Sequence, residues 1–197
     1  MNRAVFLDRD GVIIENVDTY VRSWSDVTVL PGSLEALRKL KDLAYKVIVV
    51  TNQSAVGRGI VSEEAARALN DQLVVLIEAA GGRIDEVLMC PHSPADMCDC
   101  RKPKPGLLLE AAERHALDLS RSILVGDALT DIQAGQNAGV GLNVLVRTGR
   151  GEKQLALPDA AGLAPFQVFD RLADVIDALS ENLLFHPPGL PPVIKDR

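Results

Sequence analysis

Three short aliphatic runs, Ala4-Val5-Phe6-Leu7, Val47-Ile48-Val49-Val50 and Ile123-Leu124-Val125-Gly126, each stop abruptly at polar side chains. Runs of this kind, apolar without alternation, suit strands buried on both faces, as in a parallel sheet. Helical spacing fills the stretches around them. Leu34, Leu37 and Leu40 follow Pro31-Gly32, and Ser62 is placed to cap a helix with Glu63 and Glu64 in its first turn. That helix runs through Leu69, Leu73 and Leu76 to a stop at Gly81-Gly82. Others are predicted around Leu107–Leu117, from a Thr130 cap to Gly139, and over Leu172, Val175, Ile176 and Leu179. Val87–Met89 and Val144-Leu145-Val146 complete the strands. The alternation predicts an α/β fold, a doubly wound, Rossmann-like parallel sheet.

In such a sheet the carboxyl ends of the strands line one edge, where ligands bind. The first run ends in Asp8-Arg9-Asp10-Gly11, the second in Thr51-Asn52-Gln53-Ser54, the third in Asp127 with Asp131 four residues on. Extended backbone repeats every two residues, so Asp8 and Asp10 can share a crevice while Arg9 points elsewhere. One polar strand end is ordinary and is as well explained by solvation. Three that converge are hard to obtain from packing alone. Crowded carboxylates at Asp8, Asp10 and Asp127 call for a neutralising cation. An all-oxygen donor set suits Mg²⁺, which takes one or two carboxylates and shares its other positions with water and a substrate phosphate. Arg101-Lys102 is the best candidate for a further positive group, against the default of a solvated basic loop.

All three cysteines of the chain, Cys90, Cys98 and Cys100, lie with His92 inside eleven residues. Three thiolates and an imidazole make a closed tetrahedral Zn²⁺ site of the structural kind. The spacing is tighter than in zinc fingers, so the ligands must come from turns. Buried free thiols are the alternative, and a Cys98–Cys100 disulfide would strain a very small ring. The expected role of the zinc is to pin a loop of little apolar content and aim Arg101 and Lys102 at the phosphate.

A length of 197 residues suits one α/β domain, here expected over residues 1–182, followed by a Pro-rich tail over 183–197. A net charge of −6 with no basic stripe argues against a nucleic-acid or anionic-membrane partner. No apolar segment reaches bilayer-spanning length, the chain enters a core strand directly, and its cysteines are committed to metal; a cytoplasmic location is expected. The number of subunits is left open, and a monomer is compatible with the composition.

The stretches FLDRDGVI, TNQSAVGRG, CRKPKPG and VGDALTD, in this order and across nearly the whole chain, resemble the haloacid dehalogenase superfamily of aspartate-nucleophile phosphatases. The similarity is greatest to the branch of heptose 1,7-bisphosphate 7-phosphatases and histidinol phosphatases. The resemblance implies a phosphomonoesterase with Asp8 as nucleophile, Asp10 as acid and base, Thr51 bonded to the phosphoryl group and Lys102 offsetting its charge. It assigns Mg²⁺ to the Asp8 and Asp127 side chains and the Asp10 carbonyl, with Asp131 orienting its neighbours. A zinc loop at Cys90–Cys100 also belongs to the heptose branch. Family members often carry Lys after the fourth-motif Asp, where this chain has Ala128. The substrate implied is a small sugar phosphate, heptose bisphosphate first and histidinol phosphate as the rival. DNA 3′-phosphatases share similar stretches, but the acidic balance opposes that activity. A non-catalytic module on the same fold is opposed by the intact motif set.

Only about forty residues separate Asp10 from Thr51, too few for the large cap domain of many relatives. A capless enzyme is expected, with recognition left to Asp18-Thr19-Tyr20, to Asn52, Gln53 and Ser54 through Gly59, and to the Arg101 region. Arg58, between two glycines, is the candidate for a second anionic group, with a solvated loop arginine as the alternative. Phe185 onward is expected to be extended polyproline-like chain, with His186 uninvolved in catalysis.

Overall fold

A computed structural model gives the fold and describes residues 1–184. The expectations for the Pro-rich tail and His186 lie outside the described residues. The element order is β1 (Ala4–Leu7), α1 (Ser33–Lys41), β2 (Lys46–Asn52), α2 (Ser54–Gly57), α3 (Glu63–Ala79), β3 (Glu86–Cys90), α4 (Gly106–His115), β4 (Ile123–Gly126), α5 (Leu129–Ala138), β5 (Leu142–Val146), α6 (Gly151–Leu155), β6 (Gln167–Phe169) and α7 (Leu172–Ser180). Six parallel strands form one sheet in the order β3-β2-β1-β4-β5-β6. The chain grows outward from β1 to β3, then restarts on the other side of β1 with β4. The reversal leaves a crevice between the carboxyl ends of β1 and β4, the switch point at which open sheets of this kind bind ligands.

Both faces of the sheet are covered, which is why the strands are continuously apolar. Val5 and Leu7 pack with Leu37, Leu40, Leu73, Ile77, Val175 and Ile176 on the α1, α3 and α7 side. Ala4 and Phe6 face Leu107, Leu108, Ala111 and Ala134 of α4 and α5 on the other. The doubly wound sheet is therefore as expected, and only α1 and one 3₁₀ turn lie between β1 and β2, so there is no cap domain there. Ser62 caps α3 by accepting from the Ala65 N–H at 3.1 Å.

The start of α5 differs from the sequence expectation. Its N-cap position is Ala128, not Thr130, and the orphan Ala128 N–H is met by the Asp131 carboxylate at 3.0 Å. A carboxylate in the first turn does the capping from within, leaving Thr130 exposed to solvent. The short β6 and α6 were not legible, because neither is long enough to establish a period.

Candidate active site and metal cluster

Asp8 leaves β1 at the switch point, its N–H bonded to the Val125 carbonyl of β4 at 2.9 Å, so the strand pairing carries it to the mouth of the crevice. Its Oδ1 accepts from the Arg9 N–H at 2.8 Å and pairs with Lys102 Nζ at 3.0 Å. Oδ2 has no protein hydrogen-bond partner among the described residues. Lys102 is buried and also reaches Asp131 Oδ1 at 2.5 Å and the Val50 carbonyl at 2.8 Å. Burial alone would lower the Lys102 ammonium, but the charges of Asp131 and then Asp8 override it and hold the group above its ordinary value. Burial also pushes the Asp131 carboxyl up to about 7, against the pull of Lys102. Lys102 thus stands where the sequence placed a positive group. Arg101 does not: its Nη1 donates to the His92 carbonyl at 3.2 Å, away from the carboxylates.

Asp8, Asp127 and Asp131 each bring a carboxylate oxygen within 4.8 Å of the others, a hard-oxygen set of a size that fits a divalent cation. Asp131 already has one oxygen on Lys102 and the other on the Ala128 N–H, which suits orientation better than ligation. Asp127 is fully buried, and burial followed by the Asp8 charge raises its carboxyl while Arg150 draws it back down. The Arg150 backbone N–H donates to Asp127 Oδ2 at 2.8 Å, and its Nη2 lies 3.2 Å from Oδ1. Gly11, at φ +83°, has no room for a Cβ, which would stand 2.1 Å from Asp127 Oδ2. Only glycine combines that conformation with that approach.

Sequence reasoning misses the segment Thr148-Gly149-Arg150. A signal for it exists, because it stands at the carboxyl end of β5 just as Asp8, Thr51 and Asp127 stand at the ends of β1, β2 and β4. Its Thr148 Oγ1 donates to the Gly11 carbonyl at 2.6 Å and closes the loop over Asp127.

The second strand end also divides its labour. Thr51 is fully buried, and Gln53 Nε2 donates both to Thr51 Oγ1 at 2.9 Å and to Asp10 Oδ2 at 2.8 Å. Asn52 makes a reciprocal amide pair with the Lys102 backbone, donating to its carbonyl and accepting its N–H, each at 3.1 Å. Asn52 therefore positions Lys102. Arg9 is not directed to solvent; it is buried and returns to Asp10 through Nη2, 3.1 and 3.0 Å from the two oxygens. Asp18, Thr19 and Arg58 are exposed, Tyr20 and Ser54 are half-buried, and none of these five side chains is hydrogen-bonded to the carboxylate cluster.

Cys90, His92, Cys98 and Cys100 come together as the sequence suggested. The Sγ–Sγ distances are 3.7 Å for Cys90–Cys98 and 3.5 Å for Cys98–Cys100, and His92 Nδ1 lies 3.7 Å from Cys90 and 3.2 Å from Cys100. Sulfurs at the corners of a zinc tetrahedron stand about 3.8 Å apart, so the four donors fit. Burial raises the Cys90 and Cys100 thiols, and a bound cation would be needed to bring out their thiolates.

Against known proteins, the HAD-hydrolase-like family model matches residues 99–175. A D-glycero-beta-D-manno-heptose-1,7-bisphosphate 7-phosphatase of Bordetella bronchiseptica is 37% identical over 185 residues, covering 92% of this chain and 98% of the relative. The chain belongs to the haloacid dehalogenase-like phosphatases. A relative of the same name from Pseudomonas aeruginosa is 38% identical, with 91% and 99% covered. The crystal structure of D,D-heptose 1,7-bisphosphate phosphatase from B. bronchiseptica, complexed with magnesium and phosphate, superposes with a TM-score of 0.86 at 38% identity, covering 91% of this chain and 99% of that one. Fold, phosphatase class and family thus agree with the motifs. Among the described residues no helix is long and apolar enough to cross a membrane.

Proposed function

We propose that this chain removes the 7-phosphate of D-glycero-D-manno-heptose 1,7-bisphosphate, in the supply of heptose for bacterial surface polysaccharide. The observation that carries the chemistry is the state of Asp8, one oxygen held by Lys102 and the backbone, the other without a hydrogen-bond partner among the described residues. The substrate is supported by the Bordetella and Pseudomonas relatives, whose shared name favours heptose bisphosphate over histidinol phosphate. Asp8 Oδ2 attacks phosphorus in line, and the sugar alkoxide leaves with a proton from Asp10, giving an aspartyl-phosphate. Asp10 then takes a proton from water, which attacks the same phosphorus and returns the Asp8 carboxylate with inorganic phosphate. Thr51, whose oxygen already accepts from Gln53, keeps its own proton to donate to the moving phosphoryl group. Lys102 offsets that group's charge at fixed geometry.

Asp8, Asp127 and the Asp10 carbonyl would hold Mg²⁺, which supplies charge stabilisation to the phosphoryl oxygens when bound. Cys90, His92, Cys98 and Cys100 would hold a structural Zn²⁺. Residues 1–182 serve as one catalytic unit. Thiols gathered at a metal site support a reducing, cytoplasmic setting.

Parallel turnover assays with Mg²⁺ on heptose bisphosphate and histidinol phosphate test the substrate. A preference in kcat/KM for the heptose on the order of 100-fold or more is expected, and equal or reversed efficiencies would remove it. Arg58 is exposed, its guanidinium makes no ion pair among the described residues, and it lies close in sequence to the Thr51 motif; it is assigned to the second phosphate. Arg58→Ala should cut kcat/KM on the bisphosphate roughly tenfold more than on a small monophosphate ester, as the loss of one charge-assisted contact predicts. Equal losses on both would return Arg58 to the surface. Arg101 is a poorer probe of substrate charge, because its bond to the His92 carbonyl ties it to the cysteine loop.

A further inference from the structure

Behind Asp10 runs a chain of buried polar groups that no step of the proposed reaction uses. Asn70 lies on α3 among Ala66, Leu69, Leu73 and Ile77, on the helix face turned to the core, and is itself buried. Its Oδ1 accepts from Arg9 Nη1 at 2.7 Å, and its Nδ2 faces Met89 Sδ at 3.7 Å. Arg9 Nη2 holds both Asp10 oxygens, and Arg9 Nε is buried with no partner among the described residues. A guanidinium with an unmet donor in the interior is a poor way to stabilise a fold. Apolar replacements of buried ionic groups are often neutral or stabilising. Function is the better account of why it is there.

The geometry divides the control of Asp10 in two. Gln53 reaches only Oδ2, and among the described residues Arg9 alone contacts Oδ1, so Arg9 and Gln53 together fix the carboxylate and Arg9 is the one that grips its Oδ1 edge. Among the described residues the guanidinium in turn has one anchor other than Asp10, and that anchor is Asn70. Among the described residues Oδ1 makes a single hydrogen bond, which leaves it a lone pair to carry the transferring proton. We infer that Asn70 is a positioning residue for proton transfer: it fixes Arg9, and through Arg9 it aims Asp10 Oδ1 at the leaving oxygen. The inference rests on the proposed acid–base role of Asp10.

Leaving-group dependence separates this role from simple packing. A sugar alkoxide needs a proton as it departs, whereas p-nitrophenolate leaves without one. kcat/KM covers the steps up to that departure, so its ratio on sugar phosphate and p-nitrophenyl phosphate reports the acid. Asp10→Asn should lower the ratio about 100-fold, the scale of a lost general acid. Asn70→Leu should lower it about tenfold, an aimed acid turned off line. Asn70→Ser, too short to reach Nη1, repeats the test with less apolar bulk should the first variant fold poorly. Asn70→Asp keeps an acceptor in place and should restore most of the ratio. If the Leu and Ser variants lose equally on both esters while Asp10→Asn discriminates, Asn70 only packs and the inference falls alone. If Asp10→Asn itself does not discriminate, the acid role of Asp10 falls and the inference with it.

Discussion

Asp8→Asn is expected to abolish turnover, with a loss on the order of a millionfold, the scale on which removal of a covalent nucleophile operates. An amide oxygen is a far weaker nucleophile than a carboxylate, and the residual activity must come from binding and electrostatics alone. The substitution is nearly isosteric, so the fold should survive. Lys102 keeps Asp131 as a partner, the Val50 carbonyl still accepts from it, and the Asn oxygen can still accept from the Arg9 N–H. One negative charge fewer in the carboxylate cluster should leave thermal stability equal or slightly raised, because Asp8 works against the ionised forms of both Asp127 and Asp131. Retained stability with lost turnover, and loss of a phosphorylated species trapped by acid quench, is the expected pair of results. Substantial turnover by a pure preparation would assign the nucleophile elsewhere.

How far this site could be seen in advance depended on the kind of signal each residue leaves. Asp8, Thr51 and Asp127 come directly after runs that are apolar on every residue, and a parallel sheet forces the ends of such runs onto one edge. Lys102 was legible only as half of a basic pair. What selects it over Arg101 is the Asn52 amide gripping its backbone and the Val50 carbonyl receiving its ammonium, neither of which has a sequence period. Asn70 left a readable trace, a polar residue inside the apolar stripe of α3, but a stripe cannot say what a buried amide will meet. Arg150 was hidden for another reason: it lies just past β5, and its role depends on the loop folding back over Gly11 to Asp127. Thr130 has the residue type of a cap, yet the Asp131 carboxylate, one residue on, meets the Ala128 N–H in its place.

Loss of the cysteine cluster should have the other large effect, on stability and activity together. The loop from Pro91 to Asp99 carries little apolar side chain, and Met97 within it is exposed. The loop and the Cys90 carbonyl just before it nevertheless tie several parts of the site: Cys90 O accepts from the Gln53 N–H at 2.8 Å, Pro91 O from the Gly57 N–H at 2.7 Å, and Asp99 O from the Gly106 N–H at 3.2 Å. Lys102 lies two residues past Cys100, so the loop's position sets how the ammonium approaches Asp8. Elemental analysis should give about one zinc per chain, as a closed four-ligand site implies. Cys98→Ser should lower zinc content and cost about 3 kcal/mol, less than zinc contributes to an isolated zinc-finger peptide because the domain still holds both ends of the loop. For a domain of this size that is a fall in Tm of roughly 6–12 °C. Activity should fall with zinc content and should not return when Mg²⁺ alone is supplied, whereas brief EDTA treatment that spares the zinc should be fully reversed by Mg²⁺. Protein free of zinc with normal Tm and normal turnover would show that the thiols hold the loop by packing alone. The hydrogen-bond ties argue against that outcome, since Gln53 and Gly57 dock on carbonyls whose positions the cluster fixes, and Gln53 is the residue that also holds Asp10 and Thr51.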